Sequence, residues 1–212
     1  MSEKDPAYPV FLRIEGKRAL VVGGGPVGER KLKGLVESGA SCVVVSPKVT
    51  PGIEAIIGDR VEWRSRTFEP ADLDGVAIAV AATDSQRVNA EVVEAAHTRG
   101  VLVNDATSLD RSDFTLPATV RRGGMTLAVS TEGGSPAYAK LVRTMLEDAF
   151  GGEHAAMVEL LSELRPRVME RFPDGGDRKA FWDRLVTEET LGMIKQNEME
   201  AVRNRVEQWL SS

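Results

Sequence analysis

The residues of this chain best suited to chemistry are the glycines of Gly23-x-Gly25-x-x-Gly28, with Gly24, Pro26 and Val27 between them. They follow the apolar run Arg18-Ala-Leu-Val-Val and open a segment of helical period, the setting in which such glycines cradle a dinucleotide pyrophosphate. The first glycine makes a tight turn, the second lets backbone approach phosphate, and the third lets helix pack on strand. Free N–H groups at the helix start then face the anion. An NAD site ordinarily shows Asp or Glu about 20 residues further on, bonding the ribose hydroxyls. Here the second strand ends Val45-Ser46-Pro47-Lys48 instead. Ser46 can bond a ribose hydroxyl and Lys48 can approach a 2′-phosphate, so spacing alone leaves NAD and NADP open. His97 and His154 stand without a ligand cluster, and no tightly held metal is expected. The single cysteine, Cys42, lies in mid-strand and reads as a small buried hydrophobe.

Positioning these residues takes a scaffold. Ser41–Val45, Val76–Ala81 and Val101–Val103 are apolar on both faces, and helical spacing fills Glu29–Ser38 and Val88–Arg99. Strands of that kind alternating with helices predict an α/β, Rossmann-like parallel sheet covered on each side. Tyr8-Pro-Val-Phe-Leu-Arg-Ile alternates ahead of Glu15-Gly16-Lys17 and predicts an extra hairpin strand near the edge. We place this dinucleotide-binding domain at residues 1–113. Residues 114–150 form a small α+β segment, with a strand from Met125 to Thr131 after the turn Arg121–Gly124. Ser135-Pro136 opens its helix, serine as cap and proline in the first turn. Residues 151–212, poor in strand formers, predict a domain of three or four helices broken by Phe172-Pro-Asp-Gly-Gly.

Composition narrows the class. The 212 residues include 27 basic and 32 acidic side chains, a formal net charge of −5 with no basic footprint for nucleic acid. No apolar run approaches the roughly 20 residues of a membrane span, and the start MSEKDPAYPV lacks a secretory pattern. A soluble, cytoplasmic protein is expected.

At this point an ordered series of motifs becomes specific. Tyr8-Pro9-Val10-Phe11-Leu12, Gly16-Lys17 and Leu20–Gly25 come first. Asp72-Leu-Asp-Gly75, Ala81-Ala82-Thr83-Asp84 with Asn89, Val103-Asn104 and Asp113-Phe114 with Pro117-Ala118 follow. Ser130-Thr131-Glu132-Gly133-Gly134-Ser135-Pro136 completes it. Over residues 8 to 150 the chain resembles the precorrin-2 dehydrogenase/sirohydrochlorin ferrochelatase family, the dehydrogenase module of siroheme synthase. The resemblance implies NAD-dependent oxidation of precorrin-2 to sirohydrochlorin by a homodimer whose middle segment supplies much of the interface. It also implies Thr83 and Asp84 at the cofactor-facing strand end. A second activity of iron or cobalt insertion, and a non-catalytic NAD-sensing module, are the alternative readings.

Precorrin-2 is a polycarboxylate, so its pocket should offer cations and backbone donors. Between Asp110 and Arg143 there are five basic residues, Arg111, Arg121, Arg122, Lys140 and Arg143, against three acidic ones. Arg121, Arg122, Lys140 and Arg143 are the candidate carboxylate partners, joined by Thr131, Gly133, Gly134 and Ser135 at the helix start. Family members carry an aspartate a few residues after the Val-Asn pair, and Thr107 takes that place here. Asp105, two residues earlier, is the candidate catalytic base, because hydride removal must be matched by proton loss. Its alternative role is a hydrogen bond within the Asn104–Ser108 turn. The displaced acid bears more on metal insertion, which leans on proton acceptors, than on hydride transfer.

Overall fold

The computed structural model describes residues 6–211. The first residues, on which the leader reading rests, lie outside them. The chain divides into two compact units that meet between Leu116 and Pro117.

The first unit is a parallel sheet of order β3-β2-β1-β4-β5, built from β1 (Arg18–Val22), β2 (Ser41–Val45), β3 (Val61–Arg64), β4 (Ile78–Ala81) and β5 (Leu102–Asp105). Strand polarity explains its two cores. Leu20 and Val22 of β1 point to one face, where they meet Val92, Val93 and Ala96 of α3 (Gln86–Thr98). Ala19 and Val21 point to the other and pack with Leu32 and Leu35 of α1 (Pro26–Glu37). The inner strands β1, β2 and β4 are therefore buried along nearly their whole length, as packing on both faces requires. A four-residue helix, α2 (Pro51–Glu54), follows β2. The order places a topological switch between β1 and β4, the position at which open α/β sheets bind ligands beyond their carboxyl ends.

Two expectations are corrected. Residues 6–14 form no strand, and Tyr8, Val10, Phe11 and Leu12 are exposed. Alternation alone does not make a strand: the sheet ends at β3 and β5, and residues 6–14 pair with neither. Conversely β3, with the sequence VEWR, is a strand that composition did not announce, since only Val61 in it is fully buried.

The second unit starts with an antiparallel hairpin of β6 (Ala118–Arg122) and β7 (Met125–Val129), then α4 (Pro136–Ala149). Four helices follow: α5 (Gly152–Arg171), α6 (Gly175–Leu185), α7 (Glu188–Lys195) and α8 (Met199–Ser211). Leu160, Leu164, Val168, Phe181, Leu185, Val202 and Val206 form their common core. On the surface Glu163 of α5 pairs with Arg203 of α8, and Arg167 with Glu207, one turn further along both helices. The hairpin packs on α5, where a Cβ on Gly124 would lie 3.1 Å from Val158 Cγ1.

Candidate functional site

The glycine turn sits where β1 runs into α1. Gly23 has φ +116°, a backbone state that glycine enters freely and other residues do not. A Cβ there would meet Ala82 O at 2.3 Å, so the turn lies against the end of β4. A Cβ on Gly24 would meet Lys48 O at 2.1 Å, and Thr50 N donates to Gly24 O at 2.9 Å; the loop after β2 is docked on the turn. On Gly28 a Cβ would meet Gly23 O at 2.1 Å, the close helix-to-strand packing expected of the third glycine. Around Gly25 nothing lies within 4 Å of the Cβ position, so this one glycine faces open space. Gly25 is also the N-cap of α1 and makes no side-chain cap, while Pro26 has no N–H to satisfy. The free N–H groups of the first turn accordingly face outward at the switch point, as a pyrophosphate requires. Steric closure on three sides and opening on the fourth is a cradle that fits a dinucleotide.

Glu29, the acid of that first turn, is turned aside. Lys33 first, then Thr50, hydrogen-bond its carboxylate and hold its pKa below the usual range. At the end of β2, Ser46 Oγ donates to Lys48 O at 2.7 Å, which leaves its lone pairs able to accept from a ribose hydroxyl. Trp63 Nε1 fixes the same corner by donating to Ser46 O at 2.9 Å. Lys48 is exposed beside it.

Across the switch point a buried polar chain joins the ends of β4 and β5. Asn89 of α3, fully buried, accepts from Thr83 N at 3.1 Å and donates to Thr83 O at 3.0 Å. Its amide also reaches Thr107 Oγ1 at 3.4 Å. Thr107 in turn donates to Asp105 Oδ1, from its N–H at 2.8 Å and its hydroxyl at 2.7 Å. Asp105 Oδ2 lies 2.8 Å from Arg111 Nη2. Asp84 stays exposed at the strand end, next to Thr83.

This geometry realises the turn-forming role of Asp105. Its side chain is wholly buried, with one oxygen on Thr107 and the other facing Arg111. As placed, both oxygens of Asp105, the candidate base, are engaged, and taking a proton on either would compete with Thr107 or Arg111. Asn89, seen only as part of a family motif, and Arg111, counted only in the local charge balance, had no role assigned from spacing. A buried amide within a helix pattern declares no partner, and Arg111 alone reads as a surface charge.

In the second unit the candidate Arg122 is engaged by the framework. Its guanidinium donates to Phe150 O at 2.7 Å and Glu147 O at 2.9 Å, satisfying carbonyls at the end of α4, and to Arg121 O of its own strand at 3.0 Å. It is spent on the framework and has little left for a ligand. Arg122→Ala is expected to cost about 1–3 kcal/mol of stability in this unit, measured by urea unfolding, with dinucleotide affinity unchanged. Arg143 pairs with Glu147 one turn along α4, while Lys140 is exposed. Thr131 Oγ1 bonds the Ser135 backbone in both directions at 3.2 Å, and Ser135 Oγ caps Tyr138 N at 3.2 Å. Gly133, at φ +81°, follows Glu132 at φ +50°, a tight loop exposed ahead of α4.

His97 Nε2 lies 3.1 Å from Asp113 Oδ1, and His154 packs on the Phe150 ring. Among the described residues, no group of three His, Cys, Asp or Glu is placed to hold a metal ion, and no helix is long and apolar enough to cross a membrane.

Comparison with known proteins matches this layout in order along the chain. Residues 10–118 match a family described as putative NAD(P)-binding, residues 122–149 the central region of sirohaem biosynthesis proteins, and residues 153–210 the sirohaem synthase dimerisation region. Siroheme synthase 1 of Aeromonas salmonicida is 38% identical over 185 residues, which are 87% of this chain and 40% of that protein. The siroheme synthase of Methylobacillus flagellatus is 32% identical over 204 residues, 96% of this chain and 44% of that protein. The chain thus spans less than half the length of these relatives. Among solved structures, SirC, a precorrin-2 dehydrogenase, superposes with a TM-score of 0.78 at 27% identity, covering 95% of this chain and 100% of SirC. With a dinucleotide cradle at the switch point, the chain belongs to the family described as putative NAD(P)-binding, followed in sequence order by segments that match the sirohaem central and dimerisation regions.

Proposed function

We propose that this chain oxidises precorrin-2 to sirohydrochlorin with NAD⁺ as hydride acceptor, and works as a cytoplasmic homodimer. The observation that carries the reading is the superposition over the whole of SirC, joined to the glycine cradle where β1 runs into α1. The nicotinamide ring, when bound, supplies the hydride acceptor. Gly23, Gly24, Gly25 and Gly28, with Pro26 and Val27 between them, hold the pyrophosphate through the free N–H groups of α1. Ser46 accepts from the adenosine ribose. Thr83 and Asp84 border the nicotinamide half, and Asn89 keeps Thr83 in place from beneath. Hydride transfer depends chiefly on holding two carbons in register, and the buried chain from Asn89 to Arg111 provides a stiff floor for that.

Ser46 stands where a carboxylate would bond both ribose hydroxyls, and its lone pairs fit the acceptor role that NAD needs. A homodimer is supported by the dimerisation-region match at 153–210 and by α4, where Tyr138, Leu141 and Met145 form an exposed apolar stripe at helical spacing. Arg121, Lys140, Arg143, Thr131 and the loop Gly133-Gly134-Ser135 are the candidates in the second unit for a substrate carboxylate, Arg121 and Lys140 being exposed.

The test is direct. Purified protein mixed with precorrin-2 and NAD⁺ should develop the sirohydrochlorin absorption spectrum with matching NADH formation, and NADP⁺ should give a kcat/KM at least about tenfold lower. No pigment change with either dinucleotide overturns the activity. Equal rates with both overturn the NAD assignment alone.

A further inference from the structure

We propose that Arg111 is a substrate-binding residue that takes a carboxylate of the tetrapyrrole at the end of β5, aimed there by Asp105. The inference rests on the reading of the chain as a precorrin-2 dehydrogenase and names a contact within that site.

Sheet geometry places Arg111 on the correct side. Val22, which leads into Gly23, is paired with Val45 on one side and with Ala81 on the other. Ala81 is in turn paired with Asp105. Ser46 marks the ribose end beyond β2, so an extended dinucleotide across the switch point carries its other half toward β4 and β5. The reacting carbon of the substrate must come to that half. Arg111 lies in the three-residue helical turn Leu109–Arg111 that directly follows this end of β5.

The state of the side chain points the same way. Arg111 Nε is buried without a hydrogen-bond partner among the described residues, and Asp105 Oδ2 has no hydrogen bond apart from its ion-pair contact. A guanidinium offers five N–H donors in a planar fork. Here the fork is anchored on one side by a buried carboxylate, and 36% of the side chain remains exposed on the other. Arg122, by contrast, spends all three nitrogens on carbonyls, and Arg143 is held by Glu147. An arginine that is fixed in direction but short of acceptors is what a planar, anionic group can complete.

Asp105 is then a positioning residue. Its other oxygen is locked by Thr107, and Thr107 is tied through Asn89 to Thr83. The direction of Arg111 is thereby coupled to the strand end that borders the nicotinamide.

The experiment compares wild type, Arg111→Lys, Arg111→Met and Arg111→Ala in two assays. One is steady-state oxidation with separate KM values for precorrin-2 and NAD⁺. The other is absorbance titration of sirohydrochlorin without dinucleotide, which needs no turnover. Arg111→Ala and Arg111→Met should raise both KM for precorrin-2 and Kd for sirohydrochlorin by about 10- to 100-fold, with KM for NAD⁺ within about twofold of wild type. Arg111→Lys, which keeps the charge and can stand in if the apolar variants fold poorly, should recover part of the loss. Unchanged sirohydrochlorin affinity in Arg111→Ala overturns the proposal while leaving the dehydrogenase reading intact. A parallel rise of both KM values, with lysine no better than methionine, overturns it in favour of a purely structural ion pair. Wild-type protein that neither oxidises precorrin-2 nor binds sirohydrochlorin removes the dehydrogenase reading, and this inference with it.

Discussion

Gly23→Ala is expected to raise Kd for NAD⁺ by at least about 100-fold and to destabilise the first unit by about 2–5 kcal/mol. Two independent costs combine. At φ +116° an alanine is in a backbone region that L side chains rarely adopt. Its methyl would also lie 2.3 Å from Ala82 O, 2.6 Å from Ala82 C and 2.9 Å from Thr83 N. Those are backbone atoms, and Ala82 N is itself bonded to Val22 O at 2.7 Å, so they have no room to yield. Relief requires β1 and β4 to part at the switch point, where the pyrophosphate would sit. Gly25→Ala is the matched control, since its new methyl meets nothing within 4 Å. It should leave the melting temperature nearly unchanged and still weaken NAD⁺ binding, because the occupied space is that of the ligand. Calorimetric titration alongside thermal unfolding of both variants separates the effects. Normal NAD⁺ affinity in a folded Gly25→Ala protein would falsify the cradle.

The second large effect is expected at Asp72, which is 2% exposed beneath the end of β3. Arg66 grips it with Nη2 at 2.6 Å on Oδ1 and Nη1 at 2.8 Å on Oδ2, while Arg64 Nη1 adds a contact at 2.8 Å on Oδ1. Glu69 N donates to Oδ2 at 3.0 Å, closing a capping box. Burial is the strongest single influence and by itself favours the neutral acid. The hydrogen bonds from Arg66, Glu69 N–H and Arg64 together outweigh it and hold the pKa below the usual carboxylate value. Asp72→Asn leaves two guanidiniums facing a neutral amide. With both arginines partly solvated, a loss of about 2–4 kcal/mol at pH 7 is expected in urea unfolding. The pH dependence follows from the direction of the shift. A carboxylate with a depressed folded pKa contributes fully above its unfolded value of about 3.9, and the contribution fades as pH falls through the folded value. Wild type should therefore lose stability toward acid more steeply than Asp72→Asn. Curves that stay parallel down to pH 3 would show that Asp72 contributes nothing through its charge.

These residues also mark how far the sequence could be read. β1, β2, β4 and β5 were legible because burial on both faces leaves an unbroken apolar run, and α4 because Ser135-Pro136 combines a cap with a proline in the first turn. The glycine turn was legible because Gly23, Gly24 and Gly28 each answer to a steric demand of backbone on backbone, while Gly25 keeps its side open. β3 was not, since an edge strand needs only one apolar face and Val-Glu-Trp-Arg shows neither periodicity well. Tyr8–Leu12 misled for the opposite reason, carrying the right residues without pairing to either edge strand. Charged side chains were the least legible. Asp72 entered only as part of a motif, and nothing in the spacing of Arg64 and Arg66 announces that the fold closes both around that one buried acid. Arg122 showed a charge suited to a ligand, but its partners are main-chain carbonyls, which every residue owns and no spacing reveals.

Cys42 is the second residue of β2, at 2% exposure, and burial pushes its thiol up to about 11. It is the only cysteine of the chain. At neutral pH the thiolate that alkylating reagents require is therefore scarce in the closed sheet and becomes available when β2 is released. The rate of modification becomes a stopwatch for opening of the dinucleotide-binding unit, independent of the tryptophans Trp182 and Trp209 in the helical one. Saturating NAD⁺ should slow that stopwatch in proportion to how much it holds the unit closed.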